Sequence, residues 1–571
     1  MKYIISYSNP NQHYIDIEFI ITDNASENLI VHLPIWRPGR YEEGNFAKNI
    51  RTWKVEDKKG NSLKNKKIES SSWEIEAGKI KEVHIKYSYY CGKLDAGSCW
   101  LDENQLYINP VHCLLFADGC EHKPVSVQLI IPQNYKVACA LKTEKGNILK
   151  APDYHTMVDS PFIASADLKY DFYTSNGTKF HIWFQGECVI DWDRIKNDFK
   201  SFTDYQIALF GDFPVKEYHF LFHMLPQRFH HGVEHQASTV IALGQGYKLM
   251  DEMYDEFLGI SSHELFHSWN VKKIRPKEML PYNYSAKNYS TQGWVYEGIT
   301  TYYGNLVLLR CGLFDDKKYF RALNEYLEKH LNSEGHFNQS VADASFDTWL
   351  DGYVDGIPHR KSNIYTEGSI LSMYLDFTIR MFTKNKKSLD DVMRSLYKDF
   401  GKKNIGYTQN DIQSIIENLT GKDYQDFFDY NINGTNLTLL DIELSMNVVG
   451  VEILKQESSH LYENYLGFRV SNANNKVIVK VIAPDSPAEK TGLSLDDEII
   501  AVNDWKIDNN FDDLCRIHYK NGLNLTIFSQ NILKNIQIKE KNLRFYHKYT
   551  SKPKNKMSEA QKVAFNKWSK G

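Results

Sequence analysis

The nine residues 261–269 read Ser-Ser-His-Glu-Leu-Phe-His-Ser-Trp and constrain this chain more than any other stretch. They fall in a segment with helical character. At about 100° per residue, His263 and His267 sit roughly 40° apart on one face, one turn from each other. Their imidazole nitrogens can converge on one metal ion. Glu264 projects beside them, within reach of a proton on a metal-bound water. Taken alone, two histidines on an amphipathic helix read equally well as surface or satisfied core residues.

The following helical segment, Gly293 to Tyr303, shifts that balance. It places Glu297 in an otherwise apolar and aromatic run. A carboxylate there is costly to bury unless it is paired or bound to a metal. His263, His267 and Glu297 with one open position are the donor set of a catalytic zinc site.

At 571 residues the chain exceeds one hydrophobic core, and two to four domains are expected. A formal net charge of −4 argues against a general nucleic-acid binder. The 36 tyrosines suit β-rich regions or a peptide-binding surface. The start, Met1 to Pro10, reads as a strand and a turn, without a signal-peptide core, and no run of 18 apolar residues appears. A cytoplasmic protein without a membrane span is the expectation. The eight cysteines show no Cys-x-x-Cys spacing. Scattered buried thiols are expected, with one local disulfide or metal site between Cys91 and Cys120 as the alternative.

Residues 1 to about 165 read as β, with alternation at Tyr14–Ile21 and Val83–Tyr89 and a third strand near Val125. A sandwich-like module fits. From about 170 the chain opens with strands near Phe180 and Phe220, then turns mostly helical to about 445. Residues 446–541 return to β. The segment from Lys541 carries nine Lys or Arg against one Glu, and reads as a solvated basic tail, with a docking arm as the minority reading.

The blocks Leu33 to Tyr41, His263 to Pro276 and Glu297-Gly-x-Thr-x-Tyr-Tyr303 together resemble the PDZ-containing glycyl aminopeptidases, a branch of the gluzincin zinc metallopeptidases. The resemblance covers nearly the whole chain. It implies one zinc ion per chain, held by His263, His267 and Glu297, with Glu264 as general base. The interval between His267 and Glu297 is longer than in the better-known aminopeptidases and fits this family. Ile364 to Gly368 resembles the segment whose tyrosine, here Tyr365, hydrogen-bonds the oxyanion. His231 to His235 resembles the segment lying along the substrate, whose glutamate, here Glu234, binds the free α-amine. His231 stands where many relatives have glycine. The cluster His230, His231, His235 reads as a polar wall rather than a second metal site. Ser345 to Trp349, containing Asp347, is a further family-like block without a role assigned. Ser486 to Leu493 with Asp497 to Ile499 resembles a PDZ domain. Its carboxylate-binding loop would be Leu466, Gly467 and Phe468, taking a peptide C-terminus or packing within the molecule.

The fold implied is multidomain α+β: an N-terminal β-sandwich-like domain (1–168), a thermolysin-like, mostly helical catalytic domain (169–445), a PDZ domain (446–541) and the basic tail (542–571). The activity implied is that of a zinc aminopeptidase taking Gly or Ala from peptides with a free N-terminus. An oligopeptidase or endopeptidase with the same zinc, and a non-enzymatic peptide-binding adaptor, are the alternatives.

Overall fold

A computed structural model describes residues 1–354, 356–473, 476–539 and 543–571. The N-terminal region is β-rich, as its alternation predicts. Strand Lys2–Ser6 lies inside a seven-stranded sheet, parallel to Val125–Leu129 and antiparallel to Tyr14–Ile21. Alternate residues of Tyr14–Ile21 are buried, and Phe19 stacks on Tyr3 at 4.5 Å. Two four-stranded sheets complete the region. All eight cysteines are free thiols, with Cys91, Cys99 and Cys113 buried in this core.

The sheets change hands after strand Phe162–Ser165. Strands Lys169–Ser175, Thr178–Gln185, Glu217–Leu225, Ser238–Gly244 and Phe229–Glu234 then form a five-stranded sheet in that spatial order. Phe229–Glu234 is an edge strand, paired antiparallel to Ser238–Gly244 alone. Helices pack behind it around one large aromatic core that runs from Tyr173 to Trp568.

The PDZ-region sheet holds Phe468–Ala473, Lys476–Ile482, Glu498–Val502, Leu523–Ser529 and Ile532–Ile538, with short helices at Pro487–Lys490 and Phe511–His518 and its own core. This module hangs from a two-stranded neck. Val451–Gln456 pairs antiparallel with Lys548–Pro553, and Gln456 faces Lys548 where the chain leaves and returns.

Two expectations are corrected here. The junction expected at 445/446 falls inside helix Leu439–Val448, and Met446, Val449 and Val451 belong to the large helical core. The strand that follows is β, as expected, but it belongs to the neck and not to the sheet of Phe468–Ala473. The second correction concerns the tail, whose expected start at 541/542 lies outside the described residues. Beyond it, strand Lys548–Pro553 leads to helix Glu559–Ser569, which a Ser558/Gln561 capping box starts. Trp568 is fully buried. Its Nε1 donates to the Tyr302 hydroxyl at 2.9 Å, and its carbonyl accepts from Arg310 Nε at 2.8 Å. Its ring lies against Tyr319 and Phe377. One face of the helix, Ala564 and Trp568 with Phe565 beside them, buries enough apolar area to dock it while lysines such as Lys562 stay in water. Among the described residues, no helix is long and apolar enough to cross a membrane.

Candidate metal centre and peptide site

His263 and His267 lie at the C-terminal end of helix Tyr254–Phe266, and His267 is its cap. Their Nε2 atoms approach to 3.1 Å, and Glu297 Oε2 stands 3.5 Å from His267 Nε2. His267 Nδ1 donates to the Asn270 carbonyl at 2.6 Å, which turns the Nε2 lone pair toward Glu297. Asn270 Nδ2 in turn donates to the Val295 carbonyl and to Thr300 Oγ1, tying the histidine segment to the glutamate helix. Ser262 Oγ donates to the Gly304 carbonyl at 2.9 Å, a second tie between the same helices.

Glu297 sits in a π-helical turn, Trp294–Ile299, that leads into helix Thr300–Arg310. The wider turn re-aims side chains relative to the helix that follows, as such turns do at functional sites. Behind it, helix Ile364–Phe382 packs so closely that neither Gly298 nor Gly368 has room for a Cβ. Tyr365, near the start of that helix, interacts with Glu297 and with the Tyr353 hydroxyl.

The edge strand closes the site from the other side. A Cβ at Gly232 would collide with the Glu264 carboxylate. Glu234, two residues on, is 3 % exposed, and its Oε1 has no hydrogen-bond partner among the described residues. The turn at Gly39, in the left-handed region at φ +76°, brings the N-terminal β domain against the Glu234 carboxylate. This inter-domain contact escaped the sequence reading. A Pro-Gly pair such as Pro38-Gly39 favours a turn, but nothing local in the sequence says what the turn touches. Arg37 is buried beside it, 3.4 Å from His231 Nε2.

Gly39, Gly232, Glu234, Glu264 and Tyr365 line one cavity of about 650 Å³ together with His263, His267 and Glu297. Leu466, Gly467 and Phe468 do not line it. Leu466 and Phe468 are buried in the third core. The Gly467 N–H donates to the Tyr462 carbonyl, and Asn464 exchanges two hydrogen bonds with Phe545 of the returning chain. His230, His231 and His235 do not converge: their partners are Glu256, Arg37 and Asp159. Asp347 accepts from Gln339 and pairs with Arg360, away from the cavity.

Three glutamates, Glu234, Glu264 and Glu297, are buried in this site. Burial pushes Glu264 up to about 8, with His267 opposing and Glu234 and Glu297 reinforcing. Burial also raises Glu297, against the pull of His267. For His267, burial disfavours the charge, but Glu297, Glu234 and Glu264 outweigh it and lift the ring to about 9. Burial, then His267, holds His263 well below its ordinary value. Carboxylates this crowded retain protons unless a cation stands among them. Glu264 Oε2 is likewise buried without a partner. Two imidazoles and one carboxylate, with a roomy open side, fit a catalytic zinc ion.

Comparisons with known proteins identify the family. Residues 2–166 match the peptidase M61 N-terminal domain, residues 256–371 match M61 glycyl aminopeptidase, and residues 464–521 match a PDZ domain. No curated protein sequence matches the chain. Among solved structures, an aminopeptidase N family protein from Idiomarina loihiensis superposes with a TM-score of 0.90 at 25% identity, over 99% of both chains. An M1 zinc metallopeptidase from Deinococcus radiodurans aligns with a TM-score of 0.47 at 12% identity, over 77% of this chain and 94% of that one. With both peptidase domains matched and the fold shared end to end, the chain belongs to the M61 glycyl aminopeptidase family and carries a PDZ domain.

Proposed function

We propose that this metallopeptidase removes a small first residue, glycine or alanine, from peptides with a free N-terminus. His263, His267 and Glu297 would hold the zinc ion. When bound, zinc supplies Lewis-acid polarisation of the scissile carbonyl and an acidified water. Glu264, buried beside the proposed zinc ligands with its Oε2 unpartnered, accepts the proton of the attacking water and delivers it to the leaving amine. The Tyr365 phenol, beside Glu297, donates a hydrogen bond to the oxygen that becomes negative in the transition state. Glu234 receives the α-ammonium.

The observation that carries this reading is Glu234. A buried carboxylate with an unpartnered oxygen, opening on the same cavity as Glu264, is suited to a charge-assisted hydrogen bond from an ammonium. Anchoring the amine there fixes the cut after the first residue. The Gly39 turn lies against Glu234, and the matched family is described as a glycyl aminopeptidase. The edge strand Phe229–Glu234 offers backbone groups to an extended peptide.

The test is a panel of Gly-, Ala- and Leu-initiated peptides with free and acetylated N-termini, with products identified by mass. Stepwise loss of Gly or Ala from the free peptides alone supports the proposal. Internal cleavage of the acetylated peptides makes the protein an endopeptidase and leaves Glu234 without this role.

A further inference from the structure

A second cluster of metal-ligand side chains lies outside the peptidase site. His330 is at the end of helix Asp316–Leu331, His336 is in the short helix Gly335–Asn338, and Glu367 is in the first turn of helix Ile364–Phe382. Each can bring one ligand atom within 4.8 Å of the other two. His330 is 1 % exposed, Glu367 6 % and His336 8 %. His330 Nδ1 meets Glu367 Oε2 at 2.6 Å, and the two imidazole rings are 4.4 Å apart.

Two further observations distinguish the cluster from a satisfied buried ion pair. His330 Nε2 and His336 Nδ1 are both buried without a hydrogen-bond partner among the described residues. Orphaned ring nitrogens are costly inside a protein and signal an occupant. All three residues also line a small cavity of about 20 Å³. That is room for about one water-sized particle beside the three side chains. Gln339, also on its wall, is engaged elsewhere: its Oε1 accepts from the Ser362 N–H and its Nε2 donates to Asp347.

We infer that His330, His336 and Glu367 form a second metal site, taking one divalent transition-metal ion of the zinc type. Two imidazoles and a carboxylate suit such an ion, while calcium and magnesium prefer all-oxygen sites. The site is structural. None of the three residues lines the peptide cavity, and the ion would join helix Asp316–Leu331 and helix Gly335–Asn338 to helix Ile364–Phe382. Tyr365 precedes Glu367 by two residues, so the two side chains leave that helix about 200° apart. The ion therefore fastens the far side of the helix turn that presents Tyr365.

The test counts metal in the whole protein. Metal is stripped with a chelator, cobalt(II) is added back, unbound ion is removed, and cobalt per chain is measured with the visible spectrum. Two ions per chain are expected in the wild type. One is expected in His336→Gln and one in His263→Ala, with cobalt still raising the melting temperature of His263→Ala. One ion per chain in the wild type, undiminished in His336→Gln, overturns the inference and leaves the cavity to a water. Two ions in both the wild type and His336→Gln put the second ion elsewhere and overturn it equally. If His336→Gln does not fold, the wild-type and His263→Ala counts decide: two and one support the site, and one and none reject it.

Discussion

Gly368 faces Gly298 across two helices with no space for a side chain: a Cβ on Gly368 would stand 2.7 Å from the Gly298 Cα and 2.9 Å from that of Trp294. This contact lets the helix bearing Tyr365 lie against the π-turn bearing Glu297. Gly368→Ala must push the helices apart. We expect a loss of about 1–3 kcal/mol of stability, the usual cost of overpacking. Turnover should fall further than the melting temperature accounts for, because Tyr365 moves with its helix. Full kcat in a destabilised variant would uncouple the contact from the site.

Glu264→Gln keeps the shape of the side chain and removes the base. Metal content should stay at the wild-type level, while kcat falls by roughly 10²–10⁴, the range of general base catalysis. Metal analysis beside steady-state kinetics decides it. Near-normal turnover would sink the assignment.

Tyr365→Phe deletes one hydroxyl from the cavity. Loss of a transition-state donor costs on the order of 10²–10³ in kcat. KM should move little, since the interaction is made late. A change confined to KM would make Tyr365 a substrate-binding residue.

Stability should decline as pH falls from 7 to 5. His223 is buried with neither ring nitrogen partnered, and burial pushes it down to about 3. The unfolded chain protonates this ring near 6.5, so it binds the extra proton first, and folding weakens below that pH. His223 alone contributes a loss of about 2 kcal/mol over that range. His112 and His231, each pushed down to about 4 chiefly by burial, act in the same direction. Melting temperatures across this range should show a shallower slope for His223→Leu than for the wild type. Equal slopes would show that His223 is not the proton acceptor.

Trp568→Ala should cost about 3–5 kcal/mol, as for a large core aromatic. Replacing residues 457–547 by a short turn should spare the catalytic core, because Gln456 and Lys548 already face each other. Denaturant midpoints and metal content of the two variants test the contrast. A soluble, metal-loaded Trp568→Ala protein beside an unfolded excision variant would reverse it.

The proposed zinc ligands and base are legible because their chemistry is written at helical spacing: His263, Glu264 and His267 share one turn, and Glu297 is conspicuous in an apolar run. The strands of the N-terminal region were legible from alternation. What stayed hidden depends on long-range contact. Gly39 meets Glu234 from another domain, and His330, His336 and Glu367 come together from separate segments. The helix at Trp568 carries one small apolar face among lysines, a pattern that composition cannot separate from a solvated tail. The neck strands pair across the whole PDZ domain, so the β character of Val451–Gln456 was visible but its partner was not.

The neck also shapes what evolution can do with this chain. The PDZ domain is spliced into an existing ladder rather than appended to an end, and its two junctions lie side by side. Such a joint accepts foreign modules by a single insertion, because the host spans no new distance and loses no core contact. Relatives could therefore exchange or discard this domain while inheriting the same peptidase, and the inserted domain and the chemistry can diverge on separate clocks.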